Sequence, residues 1–490
     1  MAHSDPYVKL LADPVWGPEV RVLAGLPESV SCRPIVVGGA VRDLVLGRPI
    51  KDLDISNAVP ESAMGLAKAF AKASGRTLVV YSHQQTIYRV TSSGAPQIDF
   101  TDPIGGDRES DLRRRDFTIN ALGLGLVGAE AGKVFDPTGG REDISLGLIR
   151  ATSDDVFDDD PLRILRAFRF CAQLGFRIHQ GTLEALKSRV HRLKDVAGER
   201  IQLELLEALE PDGSADLVQE MDQLGILAVL FPDLAYEKEV EQNYYHHLDV
   251  WNHTLETLRQ IERILRFEEA FLKPWENRIK EYMDFEYPSG HSRRGLMKLA
   301  LLFHDIAKPS SRGLREDGRI TFIGHENLGA ELAGKYLGDL KFPTYERDFV
   351  TRMIAGHLRP GALTRDKPER PKFAYRFFRD FGETALAITL ISLADRLAAQ
   401  GPFITEVINN RHRDAVAYLL QCLFEQTEVV VRPPQIIDGG TLIKELGLEP
   451  GPLIGHLLGM VREAQATGEV RTKEEAIEYC RNLPKKNQGT

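Results

Sequence analysis

Two stretches near the start of the chain carry residues able to do phosphate chemistry. The first is Ile35-Val36-Val37-Gly38-Gly39-Ala40-Val41-Arg42-Asp43, and the second, about a dozen residues on, is Lys51-Asp52-Leu53-Asp54-Ile55. Three apolar residues that read as a buried strand deliver two glycines, whose bare backbone N–H groups can approach a phosphate closely at a helix N-terminus. Asp52 and Asp54 follow with period two. On a strand that spacing puts both carboxylates on one face, where two like charges are tolerable only with a cation between them. Mg²⁺, a hard ion that takes oxygen ligands, suits that position. Alone, the glycines are a strand-to-helix turn and the Asp-x-Asp pair a solvated strand edge; together, in this order, they favour metal-assisted phosphate chemistry.

A third carboxylate, Asp99 in Gln97-Ile98-Asp99-Phe100, lies in a short alternating run that could form the neighbouring strand and complete the metal cage. Downstream, Arg113-Arg114-Arg115-Asp116 precedes the apolar segment Phe117-Thr118-Ile119-Asn120-Ala121-Leu122. Guanidinium forks match phosphate oxygens, and a polar Asn inside an apolar run needs a specific partner, so a triphosphate with its ribose hydroxyl accounts for both. A solvated basic turn is the alternative. Further on, histidines and aspartates fall into a second pattern: His253, then His304-Asp305, then Asp395, with His325 and His357 between. Adjacent imidazole and carboxylate closed by a distant His and Asp make a mixed nitrogen and oxygen site for a divalent transition metal, and His325 and His357 could add a second ion.

Positioning these residues takes several domains, since 490 residues exceed what one core serves. Residues 1–150 mix short β-rich runs (Thr77 to Tyr81, Ile87 to Val90, Gln97 to Phe100) with helical stretches and many glycines. From 151 to 235 apolar residues recur at helical spacing, which reads as a helical connector. Residues 236–425 continue helical and hold most of the histidines. The last stretch, 426–490, opens at Pro433-Pro434 and ends in a polar tail. The expected fold class is α+β, a small sheet with helices followed by helical domains. With 62 basic against 71 acidic residues the net charge is −9, so any polyanion must meet local patches and not a global field. One such face is Arg365 to Arg379, which interleaves bases with aromatics; a snorkelling amphipathic helix explains it equally well. Cys32, Cys171, Cys422 and Cys480 are far apart, arguing for reduced thiols. No long apolar span or signal-peptide pattern is evident, so the expectation is a cytoplasmic chain with no membrane and no obligate protein partner.

The first set of motifs resembles the tRNA nucleotidyltransferase/poly(A) polymerase family in its bacterial-type (class II) form. Gly38, Gly39, Arg42 and Asp43 with Asp52 and Asp54 look like its metal motif, and Arg114-Arg115-Asp116 with Asn120 like its triphosphate and ribose motif. Phe135-Asp136-Pro137 through Gly140, Asp143 and Ile149-Arg150 is similar to its third motif. Asp159-Asp160-Pro161-Leu162-Arg163 matches its nucleobase-reading element, although the first position is more often Glu; Arg166, Arg169 and Glu199-Arg200 also fit. Asp160 and Arg163, three apart, would project from one helix face. One acceptor beside one fork of donors suits cytosine and adenine, whereas guanine and uracil present a carbonyl to Asp160. A surface ion pair is the competing account of that spacing.

The resemblance implies template-independent addition of CCA, or part of it, to tRNA 3′ ends from CTP and ATP, with pyrophosphate released. Asp52, Asp54 and Asp99 would hold Mg²⁺ and catalyse, and nucleotide binding would fall to Gly38, Gly39, Arg42, Arg114, Arg115, Asp116, Asn120, Asp160, Arg163, Arg166 and Arg169. Only residues 100–113 separate Asp99 from Arg114. CCA-adding members carry a longer flexible loop there, which puts terminal A addition in question and keeps CC-only and A-only addition open. Poly(A) polymerases end in a basic extension absent here, so tRNA ranks above mRNA. The His253, His304-Asp305, Asp395 set resembles the HD phosphohydrolase superfamily, whose domains occur in tRNA nucleotidyltransferases. A phosphohydrolase as the main activity, and a non-catalytic RNA scaffold, are the remaining readings.

Overall fold

The computed structural model describes residues 5–26, 33–57, 62–82, 86–364 and 369–483. The chain divides between Val196 and Ala197 into two compact units.

The first unit is built on a seven-stranded sheet: β1 (Ile35–Val37), β2 (Leu53–Ser56), β3 (Thr77–Ser82), β4 (Thr86–Thr91), β5 (Ile98–Thr101), β6 (Gly123–Gly125) and β7 (Val134–Phe135), in the order β3-β4-β5-β2-β1-β6-β7. Only β2 and β5 pair in parallel, while the other neighbours are antiparallel. β1 is buried at all three residues, as its unbroken apolar run requires. It passes through Gly38, at φ 76°, into helix α1 (Gly39–Leu46). Helix α2 (Ala63–Ser74) lays Leu66, Ala67 and Phe70 on the sheet, and the Phe70 ring meets Phe100 of β5 at 5.6 Å.

The stretch between β5 and the arginine cluster is tied down. Asp102 accepts hydrogen bonds from the backbone N–H groups of Ser62 and Ala63, both at 2.9 Å, at the start of α2. Asp107 caps the helix Arg108–Arg113 by accepting from Ser110 N, and Arg108 pairs with Glu130 at 2.9 Å. After β7, Asp136 accepts from the N–H groups of Gly140 (2.7 Å) and Arg141 (3.0 Å), starting the helix Gly140–Leu146. Helices α3 (Val156–Asp159) and α4 (Arg163–Leu174) follow. The segment after 150 is not helical throughout: Leu148–Ile149 pairs in parallel with Arg177–Ile178, a two-residue bridge too short to leave a period-two signal.

The second unit is almost wholly helical. Helices α5 (Val250–Leu265), α6 (Arg293–Phe303), α7 (His325–Asp339), α8 (Thr344–Gly356) and α9 (Ala385–Ala398) surround a core in which α6 is buried from Gly295 to Phe303 and α9 from Ala385 to Ala394. A hairpin, Arg312–Leu314 with Ile320–Phe322, joins α6 to α7. The last three helices, Gly439–Leu446, Pro452–Thr467 and Lys473–Asn482, close on an apolar cluster that includes Leu442, Leu457, Val461 and Ala476.

Of the Arg365–Arg379 face, residues 365–368 lie outside the described residues; the rest forms the helix Arg370–Phe381. Its Arg376 pairs with Glu463 through two hydrogen bonds of 2.7 Å and Arg379 with Asp380 at 2.8 Å. Cys32 also lies outside the described residues, and no disulfide joins Cys171, Cys422 and Cys480 to one another.

Candidate active site and metal centre

The sheet register assembles the three carboxylates. Val37 of β1 is opposite Asp54 of β2, Asp54 is opposite Asp99 of β5, and Asp99 is opposite Arg89 of β4. Residues in one cross-strand row share a face, so Asp54, Asp99 and Arg89 are lateral neighbours. Arg89 grips Asp99 through Nε to Oδ1 and Nη2 to Oδ2, both at 2.7 Å. Arg89 was not among the residues expected from sequence, because only the β4/β5 register makes it a partner. Asp52 stands one residue ahead of β2, which starts at Leu53, and it is exposed.

Asp54 is the electrostatically loaded member. Burial first, then the neighbouring charges of Asp52 and Asp99, raise its carboxyl to about 6 despite the opposing guanidiniums of Arg115 and Arg89. Like charges held this close give a divalent cation a fitting seat, since a cation offsets what burial and repulsion impose on Asp54.

Gly38 sits where glycine is favoured over any other residue. Its φ is 76°, and a Cβ there would meet Arg115 Nη1 at 2.9 Å. That close approach sets a guanidinium against the backbone at the start of α1. Arg114 and Arg115 both hold Asp111, at 2.9 and 3.3 Å. Arg42 donates from Nη1 to Asn120 Oδ1 (2.8 Å), and Asn120 Nδ2 donates to Asp116 Oδ1 (3.1 Å). Asp116 Oδ2 accepts from Arg166 Nε (2.9 Å) and Nη2 (2.7 Å). Arg42, Arg166 and Arg169 lie 5.2, 5.4 and 4.3 Å from the centre of the Phe170 ring. Asn120 therefore has its specific partners, as a buried amide in an apolar run must, and the Arg166 guanidinium holds the Asp116 carboxyl below its usual range against the effect of burial.

Asp160 and Arg163 meet in a different manner from the one their spacing suggested. Asp160 is extended, at φ −150° and ψ 102°, and α4 begins only at Arg163. Pro161 cannot donate into a helix and disfavours helical backbone before it, which ends α3 at Asp159. The two residues are joined by a turn, with Arg163 N donating to Asp160 O at 3.1 Å. Arg163 Nη1 donates to Val156 O at 3.2 Å, which fixes the guanidinium.

In the second unit, His253, His304, Asp305, His325, His357 and Asp395 converge. His253 Nε2 is 2.9 Å from Asp395 Oδ1 and 3.7 Å from Asp305 Oδ2. His304 Nε2 is 3.2 Å from Asp305 Oδ2, and His325 Nε2 is 3.2 Å from Asp305 Oδ1. The Nδ1 atoms of His304, His325 and His357 each face a backbone carbonyl, of Leu301, Phe322 and Ile354, at 2.6–2.7 Å. That bond puts the proton on Nδ1 and leaves Nε2 as a ligand atom. His304 Nε2, His325 Nε2 and both Asp305 oxygens are buried without a hydrogen bond of good geometry, so the donor set fits metal ions, and Asp305 belongs to two separate groups of ligand atoms.

Three residues of this centre were not anticipated. His246 forms a ligand group with His253 and Asp395; its signal was its nearness to His253 in Tyr244-Tyr245-His246-His247. Lys308 Nζ lies 2.6 Å from Asp305 Oδ2. Glu237, fully buried, has its carboxyl raised to about 8 by burial and by Asp305. Burial alone would lower His304, yet the Asp305 and Asp395 charges carry it up to about 9, while Asp305 is held well below the carboxylate range by His304 and Lys308.

A mixed sheet carrying an acidic row beside an arginine cluster, joined in one chain to a histidine and aspartate centre, defines a nucleotidyltransferase with an HD domain. Residues 35–150 match the poly A polymerase head domain, 175–238 the probable RNA and SrmB-binding site of polymerase A, and 250–400 the HD domain. The A-adding tRNA nucleotidyltransferase of Deinococcus radiodurans is 32% identical over 461 residues, covering 93% of this chain and 96% of that protein. The CC-adding tRNA nucleotidyltransferase of Thermus thermophilus is 34% identical over 450 residues, covering 90% and 91%. The Thermotoga maritima CCA-adding enzyme complexed with tRNA shares the fold, with a TM-score of 0.63 over 97% of both chains at 23% identity. The chain belongs to the bacterial-type (class II) tRNA nucleotidyltransferase/poly(A) polymerase family.

Proposed function

We propose that the chain adds part of the CCA sequence to tRNA 3′ ends, CC from CTP or A from ATP, releasing pyrophosphate. The Asp54/Asp99 register, with Asp54 raised to about 6 beside Asp52 and Asp99, carries this reading. Mg²⁺ held by Asp52, Asp54 and Asp99 would lower the pKa of the attacking 3′-hydroxyl and offset charge on the leaving group. The protein's own groups do the rest. Arg42, Arg114 and Arg115 neutralise the triphosphate, with the Gly38 and Gly39 backbone close to it, and Asn120, held between Arg42 and Asp116, meets the ribose. Asp160 accepts from the exocyclic amino group of cytosine or adenine, and Arg163 donates to the ring acceptor beside it. Arg166 keeps Asp116 in place, and Arg169 shares the Phe170 ring with it.

Addition of a part, and not all, of CCA rests on the stretch after Asp99. Asp102 and Arg108 tie it to its surroundings and Asp107 caps the helix within it, where a full CCA adder carries a longer mobile loop. Incubation with tRNA ending at the discriminator base, at C or at CC, with CTP and ATP singly and together, tests this. A ladder that halts at CC, or A added only to CC ends, supports the reading; a ladder completed from the discriminator base, or an open-ended A run, refutes it. In this reading 1–150 is the catalytic head, 151–235 the neck, 236–425 the HD domain and 426–490 a tRNA-binding tail, in a chain working in the cytoplasm. Among the described residues no helix is long and apolar enough to cross a membrane.

The buried ligand atoms of Asp305, His304 and His325 favour a second reading for the other unit: a divalent transition metal centre that hydrolyses a phosphate ester. Asp52→Ala should abolish nucleotide addition alone, and His304→Ala or Asp305→Ala should abolish hydrolysis alone.

A further inference from the structure

The helix Arg370–Phe381, whose bases and aromatics interleave in the sequence, forms one wall of a cavity of about 660 Å³. A second wall begins where the long helix Glu406–Glu425 gives way to a single turn of π-helix, Thr427–Val431, in which Arg432 N donates to Thr427 O at 2.7 Å. Turns of that width are rare and gather at functional sites. Pro433 follows and cannot carry the helix on, which leaves Arg432 on the cavity wall. Three guanidiniums, of Arg379, Arg432 and Arg462, line this one space, and among the described residues no carboxylate does. The cations just outside it are paired. Glu463, the neighbour of Arg462, turns to Arg376 (2.7 Å) and Lys372 (3.6 Å), whereas the side chains of Arg432 and Arg462 have no ion pair or hydrogen bond among the described residues. The cavity also holds Tyr375, 5% exposed, on whose hydroxyl the charges of Arg379 and Arg462 act and which has no hydrogen-bond partner among the described residues. A buried phenol normally has one.

A concave space with convergent donors, no negative charge of its own and an apolar remainder suits a small organic anion. Guanidinium forks match phosphate oxygens, three forks serve more than one phosphate, and the volume admits a ligand of nucleotide size. An RNA backbone is tracked along an open groove, whereas a phenol 5% exposed is reached only by a group that enters the cavity. We propose that this cavity binds a free nucleoside polyphosphate, with its phosphates on Arg379, Arg432, Arg462 and the Tyr375 hydroxyl and its base against Leu423 and Val431. The site lies wholly within the unit 197–490 and shares no residue with the acidic row of the head or with the histidine and aspartate centre. A nucleotide held there meets no catalytic residue and is an effector.

Hydrogen–deuterium exchange of the full chain, with and without GTP, tests this at the cavity itself. GTP is the probe because its guanine presents a carbonyl to Asp160 in the head. Segments 375–382 and 423–433 should gain protection as GTP rises, and guanosine at the same concentrations should protect neither. Arg432→Gln/Arg462→Gln should raise the GTP concentration for half-maximal protection by ~30-fold or more, as charge-assisted hydrogen bonds are lost, and Tyr375→Phe should raise it by ~3–10-fold. These variants remove groups that have no partner in the fold, so their unfolding temperatures should match that of the unaltered chain. No protection by GTP, equal protection by guanosine, or an unchanged midpoint in the arginine variant overturns the proposal. A last arm adds saturating tRNA. Protection by GTP should persist beside it; tRNA that displaces GTP and itself protects 423–433 through the same arginines assigns them to the RNA backbone and overturns the nucleotide site.

Discussion

Arg89 and Asp99 are opposite each other across β4 and β5 and are locked by two hydrogen bonds of 2.7 Å. Asp54, the next residue in the same row, has no such lock. The contrast divides the acidic row into one carboxylate paired by a guanidinium and one that burial and the charges of Asp52 and Asp99 hold up at about 6.

Asp54→Asn should therefore stabilise the metal-free protein while destroying activity. A carboxyl near 6 when folded and near 3.8 when unfolded binds its proton more tightly in the fold, so stability falls as pH rises between those values and the full penalty persists above them. Two units correspond to about 3 kcal/mol at most. Melting in a chelator should show the variant more stable at about pH 8 and little different at about pH 4. Nucleotide addition should drop by ~10³-fold or more.

Arg89→Met should leave Asp99 without its partner. The expected results are a stability loss of about 1 kcal/mol, since both groups are partly solvated, and a lower Mg²⁺ concentration for half-maximal activity. Metal titrations of the two proteins check the second. An unchanged Mg²⁺ requirement would remove Asp99 from the metal cage.

Gly38→Ala combines a left-handed backbone with a Cβ against Arg115. It should cost about 1–2 kcal/mol in stability and raise KM for the nucleoside triphosphate, as the displaced guanidinium leaves the phosphates. Urea unfolding and steady-state kinetics read these separately.

Asp160→Ala should relax base choice. Losing the charged acceptor removes the penalty against a carbonyl, so discrimination against UTP should fall by ~10–100-fold in kcat/KM. Competition assays with CTP and UTP measure it.

Loading the HD centre should raise its unfolding temperature, by about 3 kcal/mol of stability at one hundred times the dissociation constant. His304→Ala/Asp305→Ala should lose both the bound metal, measured by elemental analysis, and the shift. Addition of nucleotides by the head should persist.

Local chemistry was readable without the fold. The apolar run into Gly38-Gly39, the acidic pair, the arginine cluster and the His304-Asp305 step are contiguous or nearly so, and their residue types declare the ligand each can hold. The expected β5 run became the strand beside β2, because an alternating apolar pattern allows one buried face whatever its neighbour. Asp160 and Arg163 show where local reasoning erred: spacing of three implied a helix face, and Pro161 made it a turn.

What the sequence by itself determined, then, is the inventory of carboxylates, guanidiniums and imidazoles and the class of chemistry they serve. Tertiary structure alone decided the pairings. That Arg89 neutralises Asp99 and that His246 joins His253 and Asp395 follow from strand register and close backbone approach between distant segments. Such contacts depend on how the whole chain closes, and no short-range pattern of residue types encodes that closure.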